Sequence, residues 1–564
     1  MSTIPAQFKP PVEKDEFISG ITDKPEDRVE VGIVFVGAGP ASLAGAIRLA
    51  QLLSDEPEIM ESLGEIPIAV IEKGKYPGAH LVSGAVVNPI SFRTLFPEMK
   101  DEDFPFFGPV DKESVYFLTR KHSLLLPTPP TMHNKGNFAA SISRMAKWLG
   151  EKAEEAGVMI FNEMSGMKLL VENDTVRGVR TDDKGLDKDG NKLGNYQPGS
   201  DILAKVTVLG EGTTGHLSMA MIDHFNIKRA NPQVYALGVK EIWEVPNPLD
   251  RVIHTMGWPL RGSKKYSEFG GSFIYPMGLE KVCIGLVVGL DYTDATLSVH
   301  DLLQELKLHP LVKEILHGGK RSHDGWGAKT IPEGGFYSIP DPLHVPGALL
   351  IGDSAGLVNV PALKGIHYAM MSGIIAAESI FSALKGKNDP SSPDALAGYD
   401  EAIKKSFIWK DLYEVRNMRQ AFQGGFVPGF ILAGLMTVTK GLFPGGRFKL
   451  HRDSEKEMFI GPKRSYPKAD GEYIFDKLTS VYASGNRSRD NQPDHIRIRN
   501  DVPEAIGETW INMCPAQVYE WHEENGQKVI RTDPSNCVQC GAITSKGGRL
   551  TPPEGGSGPE YTET

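Results

Sequence analysis

Cysteine is scarce in this chain of 564 residues. There are four, and three of them stand near its end, as Cys514 and as Cys537-Val538-Gln539-Cys540. So few, grouped in this way, exclude the disulfide framework of a small secreted domain. The start, Met1-Ser2-Thr3-Ile4-Pro5, lacks an apolar signal core, and a reducing compartment fits both absences. A basic excess is also missing. The formal net charge of −10 argues against a general nucleic-acid binder, whose affinity comes from neutralising phosphates, so no nucleic-acid partner is expected.

No uninterrupted membrane span is visible either. The uncharged run from Gln420 to Thr439 is broken by Gly424, Gly425, Pro428, Gly429 and Gly434, whereas a span needs about 20 mostly apolar residues. A shallow interfacial insertion is expected instead, with bulk from Phe426, Phe430, Ile431, Leu432, Leu435, Met436 and Val438 and with Lys440 and Arg447 available to lipid phosphates; a buried core helix is the alternative. Leu124-Leu125-Leu126, preceded by Arg120-Lys121-His122, is a candidate for a second membrane contact. What remains is globular composition, 40% hydrophobic and 23% charged, with a length that calls for roughly two to four domains.

The run Val31 to Val36 reads as a buried parallel strand leading into Gly37-Ala38-Gly39-Pro40-Ala41-Ser42, and an apolar helical pattern follows. In this strand, turn and helix, Gly37 permits the tight turn. Gly39 lets the backbone approach a pyrophosphate, whose charge rests on amide donors at the helix N-terminus. The third glycine of the motif is absent, and Ser42 is small enough for helix and strand to pack closely. A second strand, Ile68 to Ile71, ends in Glu72, positioned to accept hydrogen bonds from ribose hydroxyls. Its spacing is longer than usual, and an extension of the first helix through Leu52 to Glu65 accounts for it.

A late element points to FAD rather than NAD. Ala348 to Ile351 is a strand ending in Gly352-Asp353, followed by a small-residue helix from Gly365 to Ile380. A carboxylate there suits the ribityl chain, with the next helix N-terminus near the flavin pyrimidine. In the tail, CxxC lets two sulfurs converge on one centre, so Cys514, Cys537 and Cys540 are candidate metal or iron-sulfur ligands. Cys283, in the apolar run Val282 to Val288, reads as a buried strand residue.

Many ordered stretches resemble the electron transfer flavoprotein:ubiquinone oxidoreductase family nearly end to end. They include Gly78-Ala79-His80, Gly210-Glu211-Gly212, His254-Thr255-Met256-Gly257-Trp258, Gly270-Gly271-Ser272-Phe273, Gly289-Leu290-Asp291-Tyr292, Glu333-Gly334-Gly335-Phe336, Asn359-Val360-Pro361 and Cys514-Pro515-Ala516. The resemblance implies an α/β chain with α+β elements in three interlocked parts. These are an FAD-binding Rossmann-like domain of the glutathione-reductase type (28–110, 135–235 and 335–390), a quinone-binding and membrane-contact domain (111–134, 236–334 and 391–455) and a C-terminal ferredoxin-like iron-sulfur domain (456–564). It implies FAD at Gly37, Gly39, Ser42, Glu72, Gly352 and Asp353, and ubiquinone at Gly270 and Gly271, where no side chain bars a backbone group from the quinone carbonyl. On residues alone, those two glycines read as a strand bend or bulge. Phe269 stands where the family has tyrosine, so the aromatic wall is kept and a hydroxyl is lost.

The family's cluster, a 4Fe-4S centre, takes a fourth cysteine where this chain has Ile543, and an aliphatic side chain cannot ligate iron. Three readings stay open: a four-iron cluster with an oxygen ligand such as Ser545, Asp533 or water; a three-iron cluster; or thiols that are inert or hold zinc. The implied activity is that of an electron-transferring-flavoprotein dehydrogenase, passing electrons from reduced electron transfer flavoprotein to ubiquinone. It places the chain on an inner membrane surface, facing the cytoplasm in a bacterium or at the mitochondrial inner membrane in a eukaryote. FAD takes electrons one at a time while ubiquinone needs two with two protons, so no catalytic acid or nucleophile is expected. The rivals are an FAD-dependent reductase of an isoprenoid or other small substrate, fed by a nicotinamide, and a non-catalytic metal-stabilised scaffold.

Overall fold

Five parallel strands organise the first layer of the computed structural model, which describes residues 2–13, 15–386 and 389–564. The reading of 335–390 as one segment is therefore described except at 387 and 388. Arg28–Val36 lies centrally, flanked by Ile68–Ile71 and then Met159–Phe161 on one side, and by Asp201–Leu209 on the other. Ala348–Leu350 pairs with the end of Asp201–Leu209. The strands are apolar on both faces because helices cover both sides. An antiparallel flap, Gly166–Glu172 with Thr175–Thr181, extends the sheet at the start of Asp201–Leu209.

The register decides where a ligand can sit. Val36 pairs with Ile71 and Leu209, and Leu209 with Leu350. Gly37, Glu72, Gly210 and Ile351-Gly352 therefore emerge side by side at the carboxyl edge, the position at which open parallel sheets bind ligands. Two helices leave this edge, Pro40–Ser54 and Ile366–Lys385, and they pack directly on each other. Glycine makes the approach possible: a Cβ on Gly373 would lie 1.9 Å from the Ala41 carbonyl oxygen, and one on Gly45 would lie 2.9 Å from that of Gly373.

The first helix is shorter than the sequence suggests. It stops at Ser54, and Pro57–Ser62 forms a separate short helix. Pro57 lacks the amide that would continue the first helix and instead starts the second, where that amide has no partner to lose.

A seven-stranded sheet forms the second layer, in the order Lys320–Pro332, Tyr235–Glu244, Lys281–Gly289, Gly270–Met277, Val252–Gly257, Glu113–Leu118 and Ser123–Leu126. Cys283 is a buried residue of this sheet, paired with Ile242 and Tyr275. Gly270 and Gly271 lie within a strand. Cβ atoms there would stand 2.0 Å from the Val287 carbonyl oxygen and 2.5 Å from that of Thr255. Close strand approach by itself requires glycine at both positions.

The C-terminal region has two short two-stranded sheets, Ile496–Arg497 with Arg549–Leu550 and Tyr519–Glu524 with Gln527–Thr532, and the helices Lys477–Tyr482, Glu504–Met513 and Ala542–Ser545. It does not build a core alone. Trp510, Met513, Val518 and Ile543 share one apolar cluster with Val239, Ile284, Leu286 and Trp326 of the seven-stranded sheet.

Candidate functional site

A long cavity runs along the carboxyl edge of the parallel sheet, and both glycine motifs open into it. Gly37 has φ +91°, and a Cβ there would lie 2.9 Å from the Gly210 carbonyl oxygen. Gly39 caps the helix Pro40–Ser54 in extended conformation. Glu72, buried, accepts from the Ala38 amide at 2.8 Å and the Gly74 amide at 2.7 Å, which ties the second strand to the glycine turn. Gly352, at φ +57°, would bring a Cβ within 3.1 Å of the Ala41 Cβ, so the early and late motifs touch. Asp353 accepts from the Thr213 hydroxyl at 3.3 Å. Burial lifts its carboxyl to about 6 against the pull of Thr213 and Lys329. Ser42 does not line the cavity; it is buried beside Gly210 with its hydroxyl unpaired.

Sequence reasoning missed the other polar groups of this cavity. His80 has an unpaired Nδ1, and burial, aided by the charges of Lys73 and Lys329, holds it neutral. Tyr275 meets His254 Nε2 at 2.6 Å, and Lys240 donates to the Ser83 carbonyl at 2.9 Å. Glycine cradle, ribose-type carboxylate, half-buried Asp353 and unpaired His80 together fit an extended dinucleotide flavin. Gly270 and Gly271 do not line the cavity; Phe273 and Tyr275, farther along the same strand, do.

The three tail thiols converge on a second, small cavity. Its wall includes Met513, Cys514, Val518, Cys537, Cys540 and Ile543. Amides serve two of the sulfurs: Val518 N–H points at Cys514 Sγ and Gln539 N–H at Cys537 Sγ, both at 3.4 Å. Neither Ser545 nor Asp533 reaches this wall. Three thiols on one wall supply the donor chemistry of an iron-sulfur group and the fourth position supplies none; among the described residues no group of three or more His, Cys, Asp or Glu side chains is gathered closely enough to hold a single metal ion.

The two cavities share a wall. Gly541 lines both, Gln539 lines the flavin side, and Cys537 and Cys540 line the thiol side. The Cys540 carbonyl accepts from the Thr330 amide at 2.9 Å and hydroxyl at 2.8 Å, and Thr330 also lines the flavin cavity. A Cβ on Gly541 would crowd the Thr214 and Thr330 hydroxyls at 2.8 and 2.9 Å. Two half-buried lysines brace the same wall: Lys73 donates to Gln539 Oε1 at 2.5 Å and Lys329 to the Gln539 carbonyl at 3.1 Å. Burial, with Lys73 nearby, brings the Lys329 ammonium down to about 8.

Phe269 lies over a buried ion cluster. The Arg419 guanidinium sits 4.2 Å from its ring centroid and donates to Asp291 at 2.8 Å and to Glu333 at 2.9 Å. The two carboxylates divide unequally. Burial would raise both, but Arg419 outweighs it at Asp291, which lies below its usual range, while Glu333 stays above. Interior charge has no periodic signal in a sequence, although Asp291 and Glu333 both stand in the motif stretches.

The chain also carries an exposed apolar face. Helix Phe426–Val438 buries only Gly429 and Met436, and Val427, Ile431, Leu435 and Val438 project outward. Leu124 and Leu125, each more than 60% exposed, belong to the adjoining hairpin, joined to the helix through Phe117 and Phe426 at 5.5 Å between ring centroids. Arg447 is already engaged, donating to the Ala230 carbonyl, while Lys440 is exposed. No helix among the described residues is long and apolar enough to cross a membrane.

Comparison with known proteins agrees with this geometry. A family model described as "ETF-QO, ubiquinone-binding" matches residues 235–331, and "Electron transfer flavoprotein-ubiquinone oxidoreductase, 4Fe-4S" matches 471–562. A mitochondrial electron transfer flavoprotein-ubiquinone oxidoreductase of Dictyostelium discoideum is 39% identical, over 95% of this chain and 91% of its own. That of Oryza sativa is 40% identical (94% and 92%), and the human protein 38% (94% and 89%). Among solved structures, a geranylgeranyl bacteriochlorophyll reductase-like protein of Thermoplasma acidophilum has TM-score 0.55 at 17% identity, over 73% of this chain and 92% of its own. A flavin-dependent brominase has TM-score 0.50 at 17% identity (75% and 95%), and both share the fold. With 36 to 40% identity to such oxidoreductases over nearly its whole length, this chain belongs to the electron transfer flavoprotein-ubiquinone oxidoreductase family.

Proposed function

We propose that this chain is an electron-transferring-flavoprotein dehydrogenase that accepts electrons from reduced electron transfer flavoprotein and delivers them to ubiquinone at a membrane surface. The observation that carries the reading is the shared wall, residues 537–541, which sets a flavin cavity and a thiol cavity one layer of chain apart. FAD supplies exchange of electrons singly or in pairs. The chain's own residues bind and orient it. Gly37 and Gly39 bring backbone to the pyrophosphate, with Ser42 allowing the helix behind them to pack closely; Glu72 takes the ribose, and Gly352 and Asp353 the ribityl chain. Cys514, Cys537 and Cys540 hold an iron-sulfur group.

Gly270 and Gly271 form the quinone-head contact, with Phe269 as the aromatic wall stiffened from behind by Arg419. The domain division is 28–110, 135–235 and 335–390 for FAD, 111–134, 236–334 and 391–455 for quinone and membrane, and 456–564 for the cluster. Helix Phe426–Val438 and the Leu124-Leu125 hairpin lie in the interface of an inner membrane, the mitochondrial one if the host is a eukaryote, and the apolar quinone tail enters between them. The test is to mix the purified protein with reduced electron transfer flavoprotein and a short-chain ubiquinone and to follow quinol by absorbance. Quinol formation without nicotinamide is expected. Reduction by NADPH with no quinol would transfer the reading to the small-substrate reductases.

A further inference from the structure

The departure at Ile543 has a structural consequence. Gly541, in left-handed conformation at φ +87°, turns the chain into the helix Ala542–Ser545, which brings residue 543 onto the wall of the thiol cavity. The Ile543 carbonyl is pinned by the Lys546 and Gly548 amides, both at 3.0 Å. Its side chain packs over Gly548, where a Cβ would lie 2.5 Å from Ile543 Cγ1. A buried aliphatic group therefore occupies the fourth place.

Among the described residues no carboxylate, imidazole or further thiol stands on this wall in place of the missing thiolate. Ser545 is buried with its hydroxyl unpaired, yet it is off the cavity wall, as is Asp533. Tyr519 is the one oxygen-bearing side chain on that wall. An iron-bound water would need two to four polar partners, and the rest of the lining is alanine, glycine, valine, leucine, isoleucine, methionine and the three cysteines.

We propose that this wall suits a three-iron, four-sulfide cluster rather than a four-iron one: Cys514, Cys537 and Cys540 would hold it, and Ile543 offers no donor to a fourth iron. This rests on the iron-sulfur reading above and refines it. Such a cluster would supply one-electron exchange with no bond made or broken to the protein. Its ligation differs from the four-cysteine pattern, so its potential differs from that of a four-iron relative.

The test uses full-length protein purified without oxygen, with iron and sulfide counted against flavin and low-temperature electron paramagnetic resonance recorded before and after reduction. Three irons and four sulfides per flavin are expected. A sharp signal should be present in the oxidised protein and lost on one-electron reduction. Ferrous ion added under reducing conditions should leave the count at three, and Tyr519→Phe should leave the signal unchanged. Ile543→Cys should raise iron by one third and move the signal to the reduced state. Four irons in the wild type, with a signal only after reduction, would overturn the three-iron assignment while leaving the iron-sulfur reading intact, and loss of that signal in Tyr519→Phe would identify the ligand. Flavin without iron would overturn both.

Discussion

The flavin cavity and the thiol cavity are neighbours built on opposite plans. The first is made mostly of backbone: glycine turns, strand ends in register and helix N-termini, reinforced by a few side chains such as buried Glu72 and half-buried Asp353. Several elements contribute, and a Cβ in the wrong place harms it more than the loss of one side-chain donor. The second depends on side-chain donors alone. Its backbone frame is intact around residue 543, yet replacement of one sulfur by an aliphatic group changes what it can hold. A backbone site tolerates sequence drift as long as the turns survive, whereas a ligand site changes its chemistry with one residue.

Four measurements can break or sharpen that contrast. The largest effect is expected from Gly37→Val, which forces a β-branched residue to φ +91° and a Cβ to within 2.9 Å of the Gly210 carbonyl oxygen. Flavin per chain should fall by more than about tenfold by visible absorbance, since each 1.4 kcal/mol of lost binding is a factor of ten, while iron content stays near wild type. Equal loss of both would show that the two sites do not assemble separately.

Next is Arg419→Met, which leaves Asp291 and Glu333 without their partner in the interior. Removal of one side of a buried ion pair costs about 3–5 kcal/mol, read as a shift in the denaturant midpoint. A change below about 1 kcal/mol would mean that water reaches the cluster, as at an exposed pair.

Asp353 gives the third. Its folded-state carboxyl lies at about 6 because of burial, above the roughly 4 of an unfolded aspartate. Between those values the folded, flavin-free chain holds a proton that the unfolded chain has released, so stability falls as pH rises through the window. The drop is about 3 kcal/mol at 1.4 kcal/mol per unit. Asp353→Asn should flatten the melting-temperature profile of flavin-stripped protein between about pH 4 and pH 6, and an unchanged slope would refute burial as the cause.

The smallest change in stability is expected on the apolar face. Leu125→Ser with Ile431→Ser should alter folding stability by no more than about 0.5 kcal/mol per site, as exposed positions do. Binding to vesicles of anionic lipid should weaken severalfold, measured by co-sedimentation. Undiminished binding would remove this face from the membrane contact.

Much of the flavin site was legible because its signals are local. Val31 to Val36 followed by Gly37 and Gly39, and Ile68 to Ile71 followed by Glu72, are contiguous patterns whose physics is set by neighbours in sequence. The length of the first helix was misjudged because apolar spacing continued beyond Pro57, which starts a new helix. The Arg419 cluster, the paired lysines at Gln539 and the His254–Tyr275 contact were illegible for a different reason. A charged or polar residue reads as surface until distant segments fold over it.

Local sequence chemistry was sufficient for the strand, turn and helix units, for the late Gly352-Asp353 element, and for the three thiols with an aliphatic residue in the fourth place, since each follows from residue type at short spacing. Distant contacts had to form before the rest was defined. Strand register brought Gly37, Glu72, Gly210 and Gly352 to one edge, and Gly45 and Gly373 let their helices close. The wall from Cys537 to Gly541 acquired two faces only by docking against Thr214 and Thr330. Those relations span hundreds of residues, and packing, which acts on what meets in space, is the interaction that selects them.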